Sequence, residues 1–289
     1  MTAATSRVPG AEGGVSVAVM AQDAPATIEI RHTTSADGTK IGWRRLGTGP
    51  AIVVTHGAIA TGEQWLPVAR ALADEHTMLL LDRRGRGLSG DAEGYDLGTE
   101  MADLEAILAV AGPGATLLGH SYGAITAAAT VAAGADVSAL MLYEPPLPVN
   151  GPLVGTTIAP LAAAVAAGEN ERALSIMLTD IVHTPEADVD ALRQTSMWAE
   201  MVALAPTLER EMRVVDGLAG DLDRFTTIRQ PTLLLLGSQT AQHHVDATRF
   251  LIEHLPHATL VELPGQEHFA QATAPTLVAD TVRSFLRRA

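Results

Sequence analysis

The sequence predicts an α/β fold: a mainly parallel sheet of about eight strands, covered by helices on both faces, with a helical segment inserted after the sixth strand. Three observations predict it. Short apolar runs alternate with helical stretches along most of the 289 residues, the rhythm of parallel strands joined by helical crossovers. Those runs are continuously apolar, as strands buried on both faces are. Residues 147–229 break the rhythm with helical patterns and no convincing strand.

Residues 1–25, mostly Ala, Gly, Ser, Val and Pro, read as a flexible leader. Val15–Met20 is too short for a signal-peptide core, and only Arg7 precedes it. The core opens with strands Ala26–Thr33 and Ile41–Leu46, joined at Asp37-Gly38, a hairpin signal. Ala51–Thr55 is a short buried strand ending at His56-Gly57. Gln64–Glu75 is an amphipathic helix with Trp65, Val68 and Leu72 at helical spacing. Strand Thr77–Leu81 follows, then the Gly-rich loop Arg83–Gly94 and helix Leu97–Ala111. Ala115–Leu118 is a strand, Ala124–Ala133 a small-residue helix, and Val137–Tyr143 a strand stopped by Glu144-Pro145-Pro146. Thr232–Leu236 and Thr259–Leu263 are the last strands, each followed by a helical stretch. The core thus comprises 26–146 and 230–289, and 147–229 is expected to form a helical cap.

Composition narrows the function. The apolar share of 47% supports a large buried core, and the absence of cysteine excludes disulfides, thiolate metal sites and a cysteine nucleophile. It also fits a reducing compartment, so a cytoplasmic location is expected. A formal charge of −14 disfavours nucleic acid and anionic membrane as partners, though solubility alone accounts for much of it. No stretch approaches roughly 18 apolar residues, so no membrane span is expected. Lysine occurs once, at Lys40, a compositional habit of GC-rich bacterial genomes. Neither metal-ligand spacing nor a phosphate-binding glycine motif is present, so no metal and no organic cofactor is expected.

Gly119-His120-Ser121-Tyr122-Gly123 is the most informative stretch. The three-position pattern is weak alone; a strand before it and a helix after it give it meaning. A serine on such a turn is pushed clear of the sheet, and flanking glycines let the backbone close. A serine nucleophile needs a base, an orienter for that base and donors for the oxyanion. In parallel α/β sheets these gather at the carboxyl ends of the strands. His268 follows the last strand in Pro264-Gly265-Gln266-Glu267-His268 and is the expected base. His243, His244, His254 and His257 fall on a helix or at its end and read as ordinary helix histidines. The amides of Tyr122 and, beyond His56-Gly57, of Ala58 are the expected oxyanion donors. His56 itself reads as a brace for that loop, with a ligand or second-base role as the alternative.

These pieces, with Asp82-Arg83-Arg84-Gly85-Arg86-Gly87-Leu88-Ser89, resemble the α/β-hydrolase fold serine hydrolases. The resemblance covers everything but the leader and implies the fold strongly, the substrate much less. The arginine-rich segment is a family hallmark that usually forms a structural turn. The serine at position 121 sets the chain apart from the epoxide hydrolases and dehalogenases of the fold, which carry Asp there.

The family usually holds its acid shortly after the strand before last. Here that stretch reads Gly237-Ser238-Gln239-Thr240-Ala241, with no acid. Two carboxylates are candidates to replace it. Glu144 ends the strand after the serine's strand, and Asp246 lies further along, within a helix. Glu144 is favoured because strand-end carboxylates point at the site; an ion pair with a cap arginine is its ordinary alternative. Asp246 suits the first turn of a helix, where the dipole welcomes an acid.

The expected activity is cleavage of a carboxylic ester or lactone through an acyl-enzyme. Met177, Trp198 and Met201 in the cap are candidates to line a mostly apolar pocket for a small molecule, although each reads individually as packing. Two rival readings stay open: a biosynthetic member of the fold using Ser121 and His268 for proton transfer, cyclisation or elimination, and a ligand-binding protein without catalysis.

Overall fold

Eight strands form one sheet in a computed structural model that describes residues 27–289; the expected leader, and the first residue of the expected first strand, lie outside the described residues. In chain order the strands are β1 (Glu29–Thr34), β2 (Lys40–Leu46), β3 (Ala51–Thr55), β4 (Thr77–Leu81), β5 (Thr116–His120), β6 (Ala139–Tyr143), β7 (Thr232–Gly237) and β8 (Ala258–Leu263). Their spatial order is β1-β2-β4-β3-β5-β6-β7-β8. β2 runs antiparallel to both its neighbours, and every other pair is parallel.

The helices of the core are α1 (Leu66–Leu72), α2 (Leu97–Ala111) and α3 (Tyr122–Ala132). Between β6 and β7 lie α4 (Ile158–Ala166), α5 (Asn170–Ile176), α6 (Glu186–Arg193), α7 (Ser196–Leu204) and α8 (Leu208–Gly217). α9 (Gln242–His254), α10 (Ala270–Thr273) and α11 (Pro275–Leu286) complete the fold. The helix expected from Gln64 starts as a 3-10 turn, Gly62–Trp65, and becomes α-helical at Leu66. Pro67 explains this: without an N–H it is accommodated only in the first turn.

Strand periodicity builds two cores. Val53, Leu79, Leu117, Leu140 and Leu234 point to one face and pack with α2, α3 and α9 through Leu104, Ile107, Ile125 and Leu251. Their immediate neighbours Ile52, Val54, Leu80, Leu118, Met141, Leu233 and Leu235 point to the other, against Val68 and Leu72 of α1 and Val278, Val282 and Phe285 of α11. Successive residues enter opposite cores, which is why these strands read as unbroken apolar runs.

The register matters for function. Thr55 pairs with Gly119, Gly119 with Leu142, and His120 with Tyr143. The carboxyl ends of β3, β5 and β6 therefore finish level. Among the described residues, no helix is long and apolar enough to cross a membrane.

Candidate active site

Backbone strain marks the level strand ends. Four described residues other than glycine have positive φ, and three follow these strands: Ile59 at 52°, Ser121 at 54° and Glu144 at 47°. Such conformations cost free energy, most of all for a β-branched residue such as Ile59, and they gather where function needs them. Ser121 lies between β5 and α3 with ψ −123°, the strand-turn-helix geometry expected from the motif. Its N–H donates to Tyr143 O at 2.8 Å. A Cβ on Gly123 would lie 2.5 Å from the Thr55 and His56 carbonyl oxygens, so only glycine lets β3 and α3 approach this closely.

The loop after β3 runs against the serine. A Cβ on Gly57 would stand 2.9 Å from Ser121 Cβ and 3.4 Å from Ser121 Oγ. Gly57→Ala is therefore expected to displace the loop or the serine and to lower kcat/KM by about 10²-fold, with a measurable fall in melting temperature. Ala58 follows directly. Neither the Ala58 nor the Tyr122 N–H donates to a protein acceptor among the described residues, and so both remain available as donors. His56 braces the loop. It is fully buried; its Nδ1 bonds the Gly57 carbonyl at 2.8 Å, and its Nε2 accepts the Arg83 N–H at 3.1 Å. An accepting Nε2 fixes the neutral tautomer with the proton on Nδ1. Burial, with Arg86 and Arg83 nearby, holds its pKa well below the usual histidine value.

His268 and Glu144 meet. His268 Nδ1 lies 2.5 Å from Glu144 Oε2. The carboxylate is fully buried and takes two further donors, the Gly237 N–H on Oε1 at 2.7 Å and the Thr240 hydroxyl on Oε2 at 2.9 Å. Thr240 thus bonds this carboxylate from the stretch after β7 in which the sequence holds no acid of its own. Asp246 bonds Asn150, Gln242 and Arg249 instead, so Glu144 rather than Asp246 reaches the histidine. The loop bearing His268 is pinned along its backbone. His120 Nε2 bonds the His268 carbonyl at 2.9 Å, the Tyr143 hydroxyl donates to Glu267 O, and the Ala270 N–H donates to the Tyr143 oxygen at 3.1 Å. Among the described residues, no hydrogen bond joins Ser121 Oγ to the His268 ring.

His244, read from sequence as an ordinary helix residue, lies directly on His268. The ring centroids are 4.4 Å apart and the planes 12° from parallel, while His120 lies 4.7 Å from His268 on a plane tilted by 42°. One oxygen of Glu144 and one nitrogen from each of His244 and His268 fall within 4.8 Å of one another. Near-parallel rings send their in-plane lone pairs side by side, not toward a common ion, so the grouping is a stack. Burial, with His268 and His243 adjacent, holds the His244 pKa well below its usual value. A sequence clue existed: His244 opens the helix after β7, whose carboxyl end lies between those of β6 and β8.

The arginine-rich segment is a buried ionic network. Arg83 pairs with Glu100 through Nε and Nη2 at 2.9 and 2.7 Å and reaches Glu211 of α8 at 3.1 Å. Arg86 also bonds Glu211. The Arg83 guanidinium lies 4.1 Å from the centroid of the Tyr122 ring, whose hydroxyl meets that of Tyr95 at 2.9 Å. The residue after Ser121 is thereby tied to α8. Arg84 pairs with Asp103 through Nε and Nη2, each at 2.7 Å, as part of the same structural turn.

Of the cap candidates, Met177, Trp198 and Met201 are all buried. Met201 lines a cleft of about 290 Å³ between α7 and the residues after Ala58, opposite Ile59 and Ala60. Met177 and Trp198 do not line it; Trp198 packs in the core, with Arg193 5.2 Å from its ring centroid. A larger depression of about 450 Å³ lies at the far ends of α2 and α3, away from Ser121.

Comparison with known proteins agrees with this fold. The model of the family described as the alpha/beta hydrolase family matches residues 52–281. The 2-(acetamidomethylene)succinate hydrolase of Mesorhizobium japonicum is 24% identical over 260 residues, covering 84% of this chain and 90% of that one. The cis-3-alkyl-4-alkyloxetan-2-one decarboxylase of Shewanella oneidensis is 25% identical over 285 residues, covering 89% and 88%. Among solved structures, an alpha/beta hydrolase from Sphaerobacter thermophilus superposes with a TM-score of 0.82 at 33% identity, covering 89% of this chain and all of that one.

Proposed function

The chain belongs to the alpha/beta hydrolase family, and from that premise we propose that it is a serine hydrolase cleaving a carboxylic ester or lactone of a small, largely apolar substrate. The observation that carries the reading is the contact between His268 Nδ1 and a fully buried, threefold hydrogen-bonded Glu144. A histidine that donates Nδ1–H to a carboxylate has its other nitrogen free as a base.

Ser121 Oγ attacks the carbonyl carbon while His268 Nε2 takes the hydroxyl proton. The amides of Ala58 and Tyr122 hold the oxyanion; one such donor typically contributes about 2.7–4 kcal/mol to lowering the barrier. Collapse expels the alcohol, which receives the proton from His268. Water, activated by the same nitrogen, then releases the acid and restores the Ser121 hydroxyl. Glu144 keeps the histidine in the required tautomer and balances the imidazolium. Residues 147–229 act as a roof that excludes water, a role supported by Met201 facing the loop after Ala58 and by Glu211 joining Arg83 and Arg86. The cysteine-free chain suits the cytoplasm.

A fluorophosphonate is expected to label the wild-type protein stoichiometrically at Ser121, and Ser121→Ala is expected to abolish both labelling and turnover of p-nitrophenyl esters. Absence of labelling at any concentration would overturn the hydrolase reading. The Shewanella relative, named for a decarboxylation, favours a second reading in which the same residues serve a reaction without hydrolysis. Turnover in ¹⁸O-labelled water separates the two: hydrolysis places the label in the acid, the alternative does not.

A further inference from the structure

Glu144 and His268 come from the ends of β6 and β8 and meet across the end of β7, which lies between them in the sheet. The connection after β7 therefore fills the space around their contact, and two of its side chains touch the pair. The Thr240 hydroxyl donates to Glu144 Oε2, the same oxygen that His268 Nδ1 approaches. The His244 ring covers one face of the His268 ring. His244 is only 5% exposed, and its buried Nδ1 has no hydrogen-bond partner among the described residues. A buried imidazole with an unpaired nitrogen is costly, and its polar contacts give no reason for its place. Its flat face does. The His268 ring turns about its Cβ–Cγ bond, and besides the single hydrogen bond at Nδ1 it is groups packed against the ring faces that resist the turn. His244 does so on a near-parallel plane, whereas the His120 plane is tilted.

We propose that Thr240 and His244 are positioning residues: Thr240 fixes the carboxylate oxygen that holds His268, and the flat His244 ring fixes the plane in which the base presents its second nitrogen. The role rests on the reading of His268 as the base.

The test compares His244→Leu with His244→Phe, and Thr240→Val with Thr240→Ser, on the full chain. Turnover is counted per site titrated by fluorophosphonate, so loss of folded protein does not count as loss of catalysis. His244→Leu is expected to lower kcat by about tenfold to a hundredfold with KM nearly unchanged, and His244→Phe, which keeps a flat ring, to recover most of that loss. Thr240→Val is expected to lower kcat by about tenfold, and Thr240→Ser to restore it. A second readout is the far-downfield proton resonance of the short His268–Glu144 hydrogen bond, expected sharp in the wild type and His244→Phe and broadened in His244→Leu and Thr240→Val. Wild-type kcat and an unchanged resonance in His244→Leu would overturn the proposal, as would a His244→Phe protein as impaired as the leucine variant. If neither His244 variant folds, the half-buried Thr240 pair decides: unchanged kcat and resonance in Thr240→Val overturn the proposal. Failure of the hydrolase reading is seen separately, as absence of labelling in the wild type, and the resonance still reports on Thr240 and His244.

Discussion

Glu144→Gln is expected to lower kcat on a p-nitrophenyl ester by about 10⁴-fold, the scale on which a triad loses its acid. The size follows from the surroundings of the carboxylate. Gly237 N–H, Thr240 O–H and His268 Nδ1 all direct donors at its two oxygens, and no solvent reaches it. Glutamine keeps the shape but turns one acceptor into a donor. Placed at Oε1, the amide opposes the Gly237 N–H; placed at Oε2, it turns the Thr240 hydroxyl from donor to acceptor and forces His268 to accept at Nδ1, which puts its proton on the nitrogen that should serve as base. Asp246→Asn is the contrast. Its partners lie elsewhere, and activity is expected to stay within about twofold. A mutant series in which only the asparagine variant loses turnover would move the acid to Asp246, and one in which neither does would remove the acid–base pair from the mechanism altogether.

The second large effect is on stability in mild acid. His56, His120 and His244 are buried, and burial above all holds each pKa well below the usual value near 6.5; charged or titrating neighbours push the same way. In the unfolded chain they titrate normally. Between those two values the unfolded state binds protons that the folded state does not, so stability rises with pH there and falls as pH drops. The contribution is fully present above about pH 6.5 and is lost toward the depressed folded values. A histidine held neutral in the fold contributes at most about 1.4 kcal/mol per pH unit, and the three act in the same direction, so stability is expected to fall as the pH is lowered from about 7.5 to about 5.5. His243, more accessible, is shifted in the same direction, mainly by burial. Urea unfolding at the two pH values measures the loss. Calorimetry in buffers of different ionisation heat should find protons taken up on unfolding near pH 5.5. Equal stability at both values would mean that these imidazoles carry charge in the folded protein.

The sequence by itself determined the parallel sheet, the turn at Ser121, the placing of His268 after the last strand and the preference for Glu144 over Asp246 as the carboxylate that meets it. Each rests on short-range rules. Unbroken apolar runs report strands covered on both faces, as Leu117 and Leu118 do by entering opposite cores, and glycines at 119 and 123 report a backbone with no room for a Cβ. Only the tertiary structure decided which side chains from separate strand ends touch. Thr240 and His244 belong to the connection after β7, yet their partners arrive from β6 and β8, brought there by strand order and register. Arg83 likewise finds Glu100 and Glu211 from helices far along the chain. Lone histidines, threonines and glutamates carry no pattern that names a partner at such separation. The lateral order of the sheet, not any local preference, sets those distances.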